Sequence, residues 1–180
     1  GSDPILFGGT VEQKQRWLSP LARGEKIGAW SLTEPGAGSD AAGTRSTARK
    51  VDGGWTITGQ KIWTTMADTA DYLVLLARTS DEDKPSRGLT SFLVPTGTEG
   101  YTARPIDKVG LRCMSSCEVF LDDVRVPVAN RVGEENDGWR VTNVTLRFER
   151  GTAFAGELVL LQRFITELDG LAVSVGRGDD

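Results

Sequence analysis

From Ile27 to Pro127 the chain carries no apolar pattern of helical period, and this constrains the fold more than any other feature. In its place come short runs rich in Val, Ile, Leu, Thr and Trp, each cut off by Gly, Pro, Asp or Ser. "IGAWSLTE", "TRSTARKV", "WTITGQKIWTT", "DYLVLLART", "LTSFLVP", "YTARPI" and "CEVFLDDVRVP" follow one another in this way. They predict about seven or eight short strands. "DGG" at 52–54 is a hairpin signal joining the second run to the third. Gly59 marks a bulge inside the third. "DYLVLLART" is apolar almost throughout, as a strand buried on both faces requires. Strands without intervening helices predict an antiparallel barrel or sandwich and argue against a doubly wound sheet. The expected fold class is mainly β, with helical pattern confined to the two ends.

At the first end, Thr10 to about Arg23 reads as a helix. Thr10 is its N-cap, Gln13 stands at capping-box spacing, and Val11, Trp17, Leu18 and Leu21 form an apolar stripe that stops at Gly24. At the other end, Trp139 to about Leu168 reads as one long helix. Val144, Phe148, Phe154, Leu158, Leu161, Phe164 and Leu168 recur near helical spacing, while Gly151 and Gly156 weaken it by about 1 kcal/mol each. Three regions follow: an opening scar and linking helix over 1–26, a β domain over 27–135, and the start of a helical domain over 136–180. Gly1 and Ser2 read as a cloning scar. With the missing initiator Met and the abrupt "GRGDD", they suggest a fragment of a longer protein.

Composition prunes the chemistry. The chain has no histidine, which excludes serine–histidine hydrolysis, histidine acid/base catalysis and the usual zinc hydrolases. Its only cysteines, Cys113 and Cys117, are too few for a zinc site, so no metal is expected and both read as reduced thiols. A net charge of −4 argues against nucleic acid, whose phosphates need a basic surface. It still allows a small anionic ligand held by local N–H donors. No apolar run approaches the roughly 20 residues that span a bilayer, and "GSDP" lacks the features of a secretory signal.

Three motifs admit both a plain and a chemical reading. "LTEPGAGSD", 32–40, is a polar surface turn, or a loop in which Gly38 lets the backbone approach a ligand while Thr33 and Ser39 offer hydroxyls. It is neither a dinucleotide-binding fingerprint nor a Walker loop. In "GQKIWTT", Trp63 is a core tryptophan, or the wall of a flat heterocycle with Thr64 and Thr65 beside it. In "LRFERG", Glu149 between Arg147 and Arg150 is part of a solvated charge cluster, or a catalytic carboxylate.

Taken in order, "AWSLTEPGAGSD", "GWTITGQKIWTT", "ADYLVLLART", "GLTSFLVP", "VFLDDVRVP" and "ENDGWRV" resemble the acyl-CoA dehydrogenase family of flavoenzymes, from about Phe7 to Leu168. The resemblance implies that 27–135 is that family's middle β-barrel, flanked by an N-terminal helix and a long C-terminal helix. It implies FAD as cofactor, with Trp30, Leu32, Thr33, Gly38, Ser39, Trp63 and Thr65 around it. Thr33 and Thr65 would meet the ring's polar edge, Trp63 would flank the ring, and Ser39 and Gly38 would take the pyrophosphate. Ser39 and Arg150 are expected to touch substrate. The implied reaction is α,β-desaturation of an acyl-CoA thioester, with Glu149 as candidate base. Most members carry the base further along the chain; those resembling isovaleryl- and long-chain-specific enzymes place it where Glu149 stands. An electron-transfer acceptor protein and a homo- or mixed oligomer are the implied partners. The implied location is cytoplasmic, or the mitochondrial matrix in a eukaryote. The fragment itself is expected to be inactive. The alternatives are a non-catalytic assembly subunit, or a flavin oxidase or monooxygenase on the same fold.

Overall fold

The structure is a computed structural model that describes residues 1–152 and 154–178. The apolar runs of the central region form the strands β1 (Gly28–Ser31), β2 (Thr47–Val51), β3 (Gly54–Thr65), β4 (Tyr72–Arg78), β5 (Leu89–Pro95), β6 (Tyr101–Pro105) and β7 (Ser116–Pro127). A short β8 (Arg131–Val132) follows. They hydrogen-bond into one sheet in the order β6-β7-β3-β2-β4-β5-β8, with β1 added beside β4. The hairpin forms where "DGG" predicts it: Val51 faces Gly54 across Asp52–Gly53, and Gly53 takes a φ of 72°, in the left-handed region that glycine adopts without strain.

The sheet is mixed rather than purely antiparallel. β1 runs parallel to β4, and β2 meets β4 in parallel at Thr47 and Arg78. The whole β2–β3 hairpin lies between β1 and β4, which gives the chain enough length to return in the same direction. Strand composition carries no record of that direction.

Trp55 on β3 meets Phe92 on β5 edge-on, with ring centroids 5.3 Å apart, although β2 and β4 lie between their strands. In a flat sheet, strands three places apart are separated by about 14 Å. The sheet therefore curls upon itself and encloses a core that includes Ala48, Ile57, Leu73, Leu75, Val94 and Val119. The other face of β4 and β5 is covered too: Tyr72, Val74 and Leu93 pack with Ile5, Trp17 and Val141. Burial on both faces explains why "DYLVLLART" is continuously apolar.

The covering helices are α1 (Asp3–Gly8), α2 (Val11–Gln13) and α3 (Ser19–Ala22), with a π-helical segment over Lys14–Leu18 between the last two. The capping box is present: Thr10 N–H donates to Gln13 Oε1 at 3.0 Å, and Gln13 N–H donates to Thr10 Oγ1 at 3.2 Å. The Gln13 amide also donates to the carbonyls of Ala129 (2.8 Å) and Arg131 (2.6 Å), tying the helix to the segment around β8.

The chain divides into two compact units, Gly1–Val144 and Thr145–Asp180. In place of one long C-terminal helix there are two, α4 (Gly138–Thr152) and α5 (Ala155–Ser174). Gly151 and Gly156 flank the junction, and the low helix propensity of glycine makes it a natural place to interrupt. On α5, Leu158, Val159, Leu160, Leu161, Phe164 and Ile165 are all exposed. No helix among the described residues is long and apolar enough to cross a membrane.

Candidate functional site

The ends of β1 and β3 lie side by side, and their residues sort onto two faces. Ile62 N–H donates to the Thr33 carbonyl at 2.9 Å, which lays the segment after β1 along β3. On the inward side, the Ser31 and Thr64 hydroxyls hydrogen-bond each other at 2.8 Å, fully buried. Beside them Lys61 Nζ donates to Glu34 Oε1 at 2.8 Å and to the Leu32 carbonyl at 3.2 Å. Glu34 completes its shell with the backbone N–H groups of Arg45 (2.7 Å) and Ser46 (3.0 Å). On the outward side stand Leu32 and Thr33, half-buried, and Trp63 and Thr65, exposed.

A bulge creates this sorting. β3 and β7 pair in step from Gly59 opposite Leu121 to Lys61 opposite Val119, and resume at Thr64 opposite Cys117. β3 thus spends one residue more than β7 across this interval. Without the extra residue, period two would put Trp63 inward with Lys61 and turn Thr64 outward. Instead Lys61 and Thr64 are both buried, while Trp63 is 59% exposed. Its φ of 60° is a conformation that a bulky residue rarely adopts. The irregularity expected at Gly59 is also present, but there the additional residue belongs to β7, at Asp122–Asp123. Gly59 serves close approach: a Cβ there would lie 2.5 Å from Ser46 Cβ.

The segment after Thr33 is a tight turn in which Glu34 and Ala37 exchange backbone hydrogen bonds of 3.0 and 3.1 Å. Its far end is held by Arg78, which donates to the carbonyls of Ala42 (2.8 Å), Thr44 (3.1 Å) and Pro85 (3.0 Å). A Cβ added at Gly36 would meet nothing within 4 Å, and one at Gly38 would meet only Thr33 Cγ2 at 4.0 Å. Neither glycine has a positive φ, so internal packing demands neither of them, and the space above the turn is open. The Thr33, Ser39 and Thr65 hydroxyls have no hydrogen-bond partner among the described residues, in contrast to the paired inward hydroxyls. This donor set suits a flat heterocycle with polar edges and an attached phosphate.

The electrostatics centre on the buried pair. Burial pushes the Glu34 carboxyl up, but the Lys61 ammonium and the donated hydrogen bonds outweigh it and hold the group below the usual carboxylate range. Burial pulls Lys61 down, and Glu34 offsets only part of that. Beyond Thr65 the surface opens into a cleft of about 510 Å³ whose lining includes Met66, Asp68, Lys108, Arg112 and Cys113.

The residues singled out from sequence fall into two groups. Leu32, Thr33, Gly38, Trp63 and Thr65 surround the β1–β3 edge, and Ser39 follows directly on the turn. Trp30 shares the outward face of β1 with Leu32 and packs partly against the second core. Glu149 and Arg150 lie on α4, exposed, in the second unit. Sequence reasoning missed Ser31, Glu34, Lys61 and Arg78. The available signal was a lone Lys inside a strand and a lone Glu inside a turn, but nothing local pairs residues 27 positions apart.

The family model described as acyl-CoA dehydrogenase, middle domain, matches residues 29–124, more than half of the chain. This chain belongs to the acyl-CoA dehydrogenase family. It is 41% identical, over 92% of its length, to the acyl-CoA dehydrogenase FadE34 of Mycobacterium tuberculosis, and spans 24% of that protein. A solved acyl-CoA dehydrogenase from Geobacillus kaustophilus is 38% identical and superimposes with a TM-score of 0.80, over 83% of this chain and 40% of that one. The prolyl acyl carrier protein oxidase AnaB is 34% identical, with a TM-score of 0.86 over 91% of this chain and 43% of that one. The chain thus corresponds to less than half of each. Within the family match lie both the β1–β3 edge and the turn that follows it.

Proposed function

We propose that the protein carrying this chain is a flavin-dependent acyl-CoA dehydrogenase, and that residues 27–135 supply one wall of its FAD and thioester site. One observation carries the reading: Thr33 and Thr65, with unpaired hydroxyls, and the exposed, left-handed Trp63 stand at the adjoining ends of β1 and β3, beside a buried polar layer. Trp63 and Leu32 would wall the ring, with Trp30 beside them. Thr33 and Thr65 would donate to its polar edge, and Ser39 with the Gly38 backbone would take the pyrophosphate. When bound, the flavin supplies the two-electron oxidation by accepting a hydride from the substrate β-carbon. The chain's own chemical contribution is a proton acceptor: Glu149 takes the α-proton, with Arg150 and Ser39 as substrate contacts. Hydrogen-bond donors near the thioester oxygen stabilise the charge that develops there. An electron-transfer protein as acceptor and an oligomeric holoenzyme complete the reading.

The test is an acyl-CoA panel on the full-length protein, followed by bleaching of the flavin absorbance. Bleaching with at least one acyl-CoA is expected, and none with any of them rejects the activity. Glu149→Gln should abolish turnover and leave the flavin bound; undiminished turnover removes Glu149 from the base role. The likeness to AnaB favours one second reading, an oxidase, which stoichiometric peroxide release would identify. Absence of flavin from the purified full-length protein would instead mark a non-catalytic assembly subunit.

A further inference from the structure

The Lys61–Glu34 pair has no place in the chemistry above, and its cost calls for a reason. Lys61 is fully buried and Glu34 is 5% exposed. Burying two charges brings little net stability, and apolar side chains of the same volume often serve as well or better. What an apolar pair does not do is hold backbone groups in fixed directions, and this pair holds several. Lys61 Nζ takes the Leu32 carbonyl and the Glu34 carboxylate, and that carboxylate takes the N–H groups of Arg45 and Ser46. Both ends of the segment that carries Thr33, Gly38 and Ser39 are thereby tied to one ammonium rooted in β3. Two residues further along β3, within the bulge, stands Trp63. The ring-facing groups of two separate segments are thus referred to a single buried atom. Their own outward side chains contribute nothing to that arrangement, and remain available for a ligand.

We infer that Lys61, acting through Glu34 and the Leu32 carbonyl, is a positioning residue that sets the flavin-facing edge before the cofactor arrives. The inference rests on the flavin reading above. Groups displaced by an ångström bind and orient a ring poorly even when the fold survives. Loss of the pair should therefore be felt in the cofactor more than in the stability.

The experiment uses the full-length protein and its Glu34→Gln/Lys61→Met double variant, which removes both charges and keeps the volume. Apoprotein is titrated with FAD by fluorescence quenching, and visible circular dichroism of the bound flavin and thermal melting are recorded in parallel. The double variant is expected to melt close to wild type, to bind FAD about tenfold more weakly, and to show altered flavin dichroism. Unchanged affinity and dichroism overturn the inference and leave the pair a structural one. If the double variant does not fold, Lys61→Arg, which keeps the charge and changes its reach, is read the same way: cofactor properties equal to wild type overturn the inference there too. A wild-type protein that takes up no FAD overturns the flavin reading itself, an outcome separate from a variant that matches a flavin-binding parent.

Discussion

Lys61 shows how much a single side chain can be asked to organise. Because Glu34 sits below its ordinary value in the fold, the unfolded chain takes up its proton first as the solution is acidified. The stability this group contributes is present above the unfolded value of 4.5 and lost as pH falls through the lower, folded one. The attraction of the Lys61 ammonium, foremost among the causes that lower the Glu34 value, is what protonation gives up. Urea midpoints of the wild-type chain should thus fall between neutral pH and pH values below 4.5, and more steeply than those of the Glu34→Gln/Lys61→Met variant. Equal acid sensitivity would remove the pair as the cause. Breaking the pair from one side is harsher: Glu34→Gln alone should cost about 3 kcal/mol at neutral pH, because it strands a buried cation. At Gly59 the limit is space, since an added Cβ meets Ser46 Oγ at 2.3 Å and Cβ at 2.5 Å. Gly59→Ala should lower stability by about 2 kcal/mol in the same urea assay. At this scale the chemical types in the site were legible, because hydroxyls, indoles and glycines announce what they can do. The partners were not: Glu34 belongs to a turn and Lys61 to a strand, and only folding places them 2.8 Å apart.

Elements divide in the same way. The N-terminal helix announced itself through Thr10, Gln13 and Gly24, whose effects are local. The capping box and the positive φ of Gly24, at 71°, appear where those residues stand. Gln13 does a second thing that no spacing rule records, which is to bind the Ala129 and Arg131 carbonyls. Thr10→Ala should cost about 1 kcal/mol as a lost cap. Gln13→Ala should cost about 2 kcal/mol, since it also leaves two carbonyls without their donor. Thermal melts of the two variants would check that order, and equal losses would show the Ala129 and Arg131 bonds to be idle. The strands were legible from their β-branched and aromatic runs. The β3 bulge was not, because its left-handed residue is Trp63, a type with no preference for that conformation. A glycine at position 63 would have signalled the turn of the backbone, but would not have furnished a ring wall.

Across the whole molecule, the contrast is between a strand, β4, buried on both faces and a helix, α5, exposed along nearly all its length. β4 is hydrogen-bonded on both edges, with β5 along one and β1 and β2 along the other, and Tyr72 to Ala77 are all buried. Its amides should exchange with solvent deuterium only through global unfolding, whereas α5 amides should exchange by local opening, orders of magnitude faster. Mass-spectrometric exchange on the chain would show it, and protection in α5 equal to that in β4 would contradict it. The exposed apolar residues on α5 also predict self-association of the 180-residue chain, visible as concentration-dependent sedimentation; a monomer at every concentration would reject this. By itself the amino-acid order determined the strands, the first hairpin and the helix cap, because each depends on neighbours a few residues away. The curl of the sheet, the parallel β1–β4 contact, the outward Trp63 and the Lys61–Glu34 anchor were decided only in three dimensions. Each of these needs segments distant in sequence to be brought together, and the burial that makes them worthwhile exists only once the core has closed.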